Sequence, residues 1–116
     1  MVVVFTGICG VSLFIFEILF VKLRKSAGKR IKIKTHMVVG GLSVLMVLLH
    51  CIATGFHFHF GLAFWAFTLF LLTALSGVLI KYIKHKEARN IHIVLSVVTL
   101  LVICVHAIEE IVIRYV

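Results

Sequence analysis

Residues 36–54 read HMVVGGLSVLMVLLHCIAT, an apolar segment of membrane length with a histidine near each end. At helical spacing, small and polar residues form a stripe along one face of this segment. The stripe consists of His36, Gly40, Ser43, Val47, His50 and Thr54. Residues 92–110, HIVLSVVTLLVICVHAIEE, repeat the pattern. Each segment therefore carries two histidines fourteen residues apart, an arrangement that calls for a chemical explanation.

The composition is that of an integral membrane protein. The 116 residues are 63% hydrophobic and include no proline, and the mean hydropathy is +1.25. A membrane-spanning helix needs about 20 apolar residues. Four runs satisfy this length: about 1–21, 35–56, 60–80 and 90–113. The sequence predicts an all-α protein, a single transmembrane four-helix bundle over residues 1–116.

The placement of the basic residues predicts the topology. The formal charge is +8, which by itself would suit nucleic acid or anionic lipid. Seven of the twelve lysines and arginines lie between the first two runs, four lie between the third and fourth, and Arg114 alone lies elsewhere. By the positive-inside rule, both basic loops are cytoplasmic and both termini are extracytoplasmic. We expect an up-down-up-down bundle in a prokaryotic cytoplasmic (inner) membrane, in contact with membrane lipid and without a nucleic-acid partner.

Local signals give provisional boundaries. Gly55 and Gly61 bracket a tight turn between the second and third helices. Asn90 is the expected N-cap of the fourth helix. The first run has no basic residue before it and is longer than a signal-peptide core, so we expect a retained helix.

The spacing of the histidines suits two stacked haems. Fourteen residues at about 100° each stop about 40° short of four full turns, so both histidines of a helix share nearly one face. The rise of about 21 Å places one histidine in each leaflet of a core about 30 Å thick. The second and fourth helices would run in the same direction and form two layers of opposed imidazoles. A planar macrocycle ligated from both sides fits each layer.

The other stripe residues fit the same interpretation. Small residues four positions after the first histidine, Gly40 and Ser96, would let a porphyrin lie close to the backbone. Ser43 and Thr99 would do the same or offer a hydroxyl to a ligand nitrogen. The sequence has no Cys-x-x-Cys-His motif, so it carries no c-type haem attachment signature.

His36-x13-His50 and His92-x13-His106 resemble the pattern of the di-haem b-type membrane cytochromes, whose haem-bearing core in the bc complexes is a four-helix bundle. The resemblance covers about residues 31–110 and lies in the histidines. It implies two b-type haems, the inner on His36 and His92 and the outer on His50 and His106. The chain lacks the Pro-Glu-Trp-Tyr quinol-site motif of that family, and it looks more like a small stand-alone anchor subunit.

The function expected from this resemblance is transmembrane electron transfer between the quinone pool and a partner redox protein. The catalytic centre of such an oxidoreductase or multihaem cytochrome complex would lie on another subunit. Two other interpretations remain open. The histidines could form zinc or iron sites of a metal-ion transporter, although no carboxylates or thiolates flank them in the pattern such sites use. They could also be structural hydrogen-bonding groups of an assembly subunit without a cofactor.

The remaining polar residues give weaker predictions. Glu110 continues the stripe one turn beyond His106 and is the candidate proton acceptor in quinol oxidation; an ion pair with Arg114 is the simpler interpretation. Glu17, an acid inside the first run, is expected to reach the cytoplasmic face or to pair with a loop lysine, and a proton role at an inner quinone site is the alternative. His57 and His59 lie in the outer turn and could bind metal or line a quinone pocket, although simple exposure is the plainer interpretation.

Overall fold

The computed structural model describes residues 1–26, 33–55 and 61–116. It is all-helical there, with four helices: α1 (Val2–Ser26), α2 (Ile33–Ala53), α3 (Leu62–Ile80) and α4 (Lys86–Tyr115). Each contains a stretch long and apolar enough to cross a membrane. Helices suit such stretches because all their backbone polar groups are paired within the segment. The chain is thus compatible with an integral membrane protein. The bundle, its topology and the single domain stay predictions.

The four predicted runs agree with the helices, but two boundaries differ. Both α1 and α4 extend into the charged residues beyond their apolar parts, since a charged residue ends a membrane span without ending a helix. At 30 residues, α4 is about 45 Å long, well beyond a hydrocarbon core of about 30 Å. His85 is its N-cap residue, in extended conformation. The prediction of Asn90 as N-cap is therefore wrong, because Asn90 lies within the helix.

The chain divides into two compact units, Met1–His57 and Phe58–Val116. The first contains the hairpin of α1 and α2, and the second contains the hairpin of α3 and α4. The Gly55 that follows α2 has a φ of 73°, a left-handed conformation that glycine adopts without steric cost. The turn between α3 and α4 is short, from Lys81 to His85.

Small residues set the register of the first hairpin. A Cβ added to a glycine would meet the facing helix at three levels, and the paired residue numbers add to 57 each time. The pairs are Gly7 with His50, Gly10 with Val47 and Gly40 with Glu17. A constant sum means antiparallel helices that stay in close contact over most of their length. Such small-residue contacts are typical of helix pairs in membranes.

The buried positions are as often polar as apolar. Large aliphatic side chains on all four helices are exposed, as expected for surfaces that face lipid. Among the described residues, the buried apolar side chains are Phe14, Phe20, Cys51, Ala66 and Phe70. The buried polar ones are Thr6, Glu17, Ser43, Thr73 and Thr99. The helix faces that pack inside each hairpin therefore differ from the exposed aliphatic faces largely by their polar contacts.

Candidate functional site

His50 packs against α1 at a position without a side chain. Its Nδ1 lies 2.9 Å from the Val3 carbonyl oxygen and 3.4 Å from the Thr6 hydroxyl. A Cβ added to Gly7 would lie 3.1 Å from His50 Cε1, so a larger residue at this position would push the ring back by a few tenths of an ångström. A carbonyl oxygen can only accept a hydrogen bond, and the neutral ring must therefore carry its proton on Nδ1. Nε2 then holds the lone pair that can bind a metal.

His36 also faces α1, where it meets a buried acid. Its Nδ1 lies 3.4 Å from Glu17 Oε1, and Glu17 is only 9% exposed. A Cβ added to Gly40 would lie 2.8 Å from the same oxygen. Glycine at position 40 therefore makes room for the carboxyl group. The two histidines of α2 contact one neighbouring helix, as their spacing predicts.

His92 has the same kind of contact in the second hairpin. Its Nδ1 lies 3.1 Å from the Thr73 carbonyl oxygen and 2.9 Å from the Ser76 hydroxyl. That hydroxyl donates to the Thr73 carbonyl at 2.7 Å. A Cβ on Gly77 would lie 3.0 Å from His92 Cε1. The proton again belongs on Nδ1, and a glycine again lies beside the ring.

His106 differs from His50 and His92, whose Nδ1 atoms contact backbone carbonyl oxygens. Its Nδ1 is buried and has no hydrogen-bond partner within the part of the chain that the structure describes. Buried polar atoms in folded proteins are nearly always paired. His106 therefore has unmet hydrogen-bonding capacity, which a bound group could satisfy.

The small stripe residues lie in the interfaces between helices. The Ser43 hydroxyl is fully buried and lies 3.4 Å from the Gly10 carbonyl oxygen. The Thr99 hydroxyl, also fully buried, lies 2.8 Å from that of Thr73. Both side chains follow the first histidine of their helix by seven residues. They serve packing inside a hairpin, so the prediction of a hydroxyl bound to a ligand nitrogen is wrong for both.

Ser96 and Glu110 make contacts within α4. The Ser96 hydroxyl donates to the His92 carbonyl at 2.7 Å. Glu110 forms an ion pair with Arg114 at 3.4 Å, with side chains 45% and 52% exposed. This pair is the simpler interpretation of Glu110; its proton role and the porphyrin contacts of Gly40 and Ser96 stay predictions. His57 and His59 lie outside the described residues.

The arrangement can present imidazole ligands of defined orientation. Histidines that bind metals usually donate their other ring N–H to a backbone carbonyl or a carboxylate, which orients the ring and strengthens the ligand. Within residues 1–26, 33–55 and 61–116, no three side chains of His, Cys, Asp or Glu are grouped to hold a metal ion.

No protein-family model, curated protein or solved structure matches the chain. The residues themselves are therefore the basis for function. Sequence reasoning missed the partners of the histidines: Val3, Glu17, Thr73 and Ser76. Each lies on the neighbouring helix, where the periodicity of a single helix gives no information. The glycines were the available signal, because Gly7 and Gly77 mark where a ring can approach α1 or α3.

Proposed function

We propose that the chain carries electrons across a membrane through two b-type haems, as an anchor subunit that links the quinone pool to a partner redox protein. The observation that carries the proposal is the set of contacts made by the histidine Nδ1 atoms. His50 and His92 donate from Nδ1 to backbone carbonyls, and His36 directs Nδ1 to a carboxyl group. This leaves Nε2 of each ring as the ligand atom, as haem ligation requires.

In this proposal His36 and His92 hold the inner haem, and His50 and His106 hold the outer one. Each haem, when bound, supplies a one-electron iron centre whose potential depends on its ligands and their hydrogen bonds. The chain's residues orient the rings through the Nδ1 contacts and supply an apolar surround. The exposed cations of the α3–α4 turn, Lys81 and Lys84, would lie on the cytoplasmic side. Glu110 would accept protons released by quinol at the other side.

The test is an optical spectrum of the purified full chain. We expect a reduced-minus-oxidised spectrum of low-spin b-type haem and about two haems per chain by pyridine haemochrome, since four ligands serve two irons. His50→Ala should lower the haem content towards one per chain. His85→Ala, an exposed histidine beside α4, is the matched control and should retain both haems.

Other results would favour other functions. A folded chain without haem that binds zinc or iron would favour transport and overturn the proposal. A folded chain that binds neither, with hairpins that tolerate His50→Ala, would favour a structural subunit. The last possibility has a basis in the structure, because the same Nδ1 contacts hold helices together without a cofactor.

A further inference from the structure

We infer that Glu17 is a positioning residue for the inner haem and gives that haem the lower of the two midpoint potentials. The inference rests on the proposed function. Its basis is an asymmetry: the Nδ1 atoms of His50 and His92 contact neutral oxygens, whereas that of His36 contacts an acid.

Glu17 is a buried acid on an apolar helix. An acid at membrane depth is costly and is generally retained for a function. Glu17 lies within the apolar part of α1, Val2–Phe20, and is 9% exposed. Among the described residues, its ion-pair partner is His36. Lys29 and Lys32 of the basic loop lie outside the described residues, so the pairing of Glu17 with a loop lysine and its reach to the cytoplasmic face stay predictions.

A glycine on α2 leaves space for the Glu17 carboxyl group. Gly40 faces the Glu17 carboxyl group so closely that a Cβ would lie 2.8 Å from Oε1. The next residue, Gly41, faces open space, and a Cβ there would meet no heavy atom within 4 Å in the described part of the chain. Of these two adjacent glycines, only Gly40 lies against the acid in the described part of the chain.

The contact with Glu17 affects how strongly the His36 imidazole binds iron. The His36 Nδ1 to Glu17 Oε1 distance of 3.4 Å is about 0.5 Å longer than an ordinary N–H···O hydrogen bond, so a small movement closes it. A carboxylate that accepts this hydrogen bond makes the imidazole a stronger donor at Nε2. Stronger donation and the nearby negative charge stabilise ferric over ferrous iron. An amide carbonyl, as at His50, has a weaker effect.

The experiment is a potentiometric titration of the haem-loaded full chain, followed by absorbance. We expect two separate midpoint potentials. His50→Ala, which removes the outer haem, should retain the lower one. Glu17→Gln keeps the shape and an acceptor oxygen but removes the charge. It should raise only the lower midpoint, by about a tenfold change in the reduced-to-oxidised ratio, or about 59 mV for one electron.

Gly40→Ala and Gly41→Ala form the matched pair. The first pushes the carboxyl group away without changing any charge, and should shift the same midpoint in the same direction. The second should leave both midpoints unchanged. The pair also decides the question if Glu17→Gln fails to fold.

The outcomes separate this inference from the proposed function. Two haems with midpoints that neither Glu17→Gln nor Gly40→Ala changes would overturn the role of Glu17 and leave the haem assignment intact. A shift of the upper midpoint instead would also overturn it. A folded wild-type chain without haem would overturn both.

Discussion

The contact between Thr73 and Thr99 gives the sharpest prediction about the second hairpin. The two hydroxyl oxygens are 2.8 Å apart, and the residues are 4% and 0% exposed. The Thr73 hydroxyl donates to the Leu69 carbonyl at 2.8 Å, which assigns Thr99 as the donor between the helices. The two threonines are therefore not equivalent, although each substitution by valine removes the same hydrogen bond and keeps the side-chain shape.

The expected losses of unfolding free energy depend on which hydroxyl is the donor. Thr99→Val removes the donor and leaves Thr73 with its bond to Leu69. We expect a loss of about 0.6 kcal/mol, and at most about 1.7, as for other side-chain hydrogen bonds between membrane helices. Thr73→Val removes the acceptor and leaves the buried Thr99 hydroxyl unpaired, which should cost about 1–3 kcal/mol. The double variant leaves no unpaired hydroxyl and should cost less than the sum of the two.

The assay is reversible unfolding of the full chain in mixed micelles with increasing sodium dodecyl sulfate, followed by circular dichroism. Thr68→Val is the matched control on α3, since Thr68 is partly buried and should change the free energy of unfolding by less than about 0.5 kcal/mol. A different result would show that the two hydroxyls do not interact. In that result, Thr73→Val and Thr99→Val lose the same free energy of unfolding, and the double variant loses the sum of the two. That result would refute the register of α3 against α4.

Three further substitutions test other contacts. Gly77→Ala places a Cβ 3.0 Å from His92 Cε1, so the ring must move, and under the proposed function we expect lower haem content by pyridine haemochrome. Ser43→Ala should cost less than about 0.6 kcal/mol of unfolding free energy in the micelle assay, because its 3.4 Å contact is long for a hydroxyl donor. Arg114→Gln should change that free energy by less than about 0.5 kcal/mol, because its ion pair with Glu110 is half-exposed.

Each of these has a clear contrary result. Full haem content in Gly77→Ala would mean that the His92 ring yields to the added methyl group without losing its ligand position, and Gly41→Ala serves as its control for a glycine without a close neighbour among the described residues. A loss above about 1 kcal/mol for Ser43→Ala or Arg114→Gln would mean a stronger contact than the distances allow.

The helices could be predicted from the sequence because each depends on a property of its own residues. Apolar runs longer than a bilayer core identify four helices without reference to any partner. The boundaries were less accurate where hydropathy was the guide. Residues 86–89 extend α4 beyond its apolar part, because lysine, glutamate, alanine and arginine are all good helix formers.

The candidate site was predictable only in part, for the same physical reason. The shared face of His36 and His50 follows from the period of a single helix. The partner of His36 does not, because the contact with Glu17 depends on how two helices are aligned. That alignment appears in the sequence only as glycines at positions 7, 10 and 40. A search for antiparallel glycine pairs with a constant sum would have brought Glu17 to Gly40.

The polar contacts inside each hairpin bear on how such a protein could be made. Three of the four stripe histidines face an oxygen of their own hairpin, so those rings have a polar partner before any cofactor is bound. Under the proposed function, each hairpin could therefore enter the membrane as a pair of helices without haem, and haem binding could follow as a separate, later step.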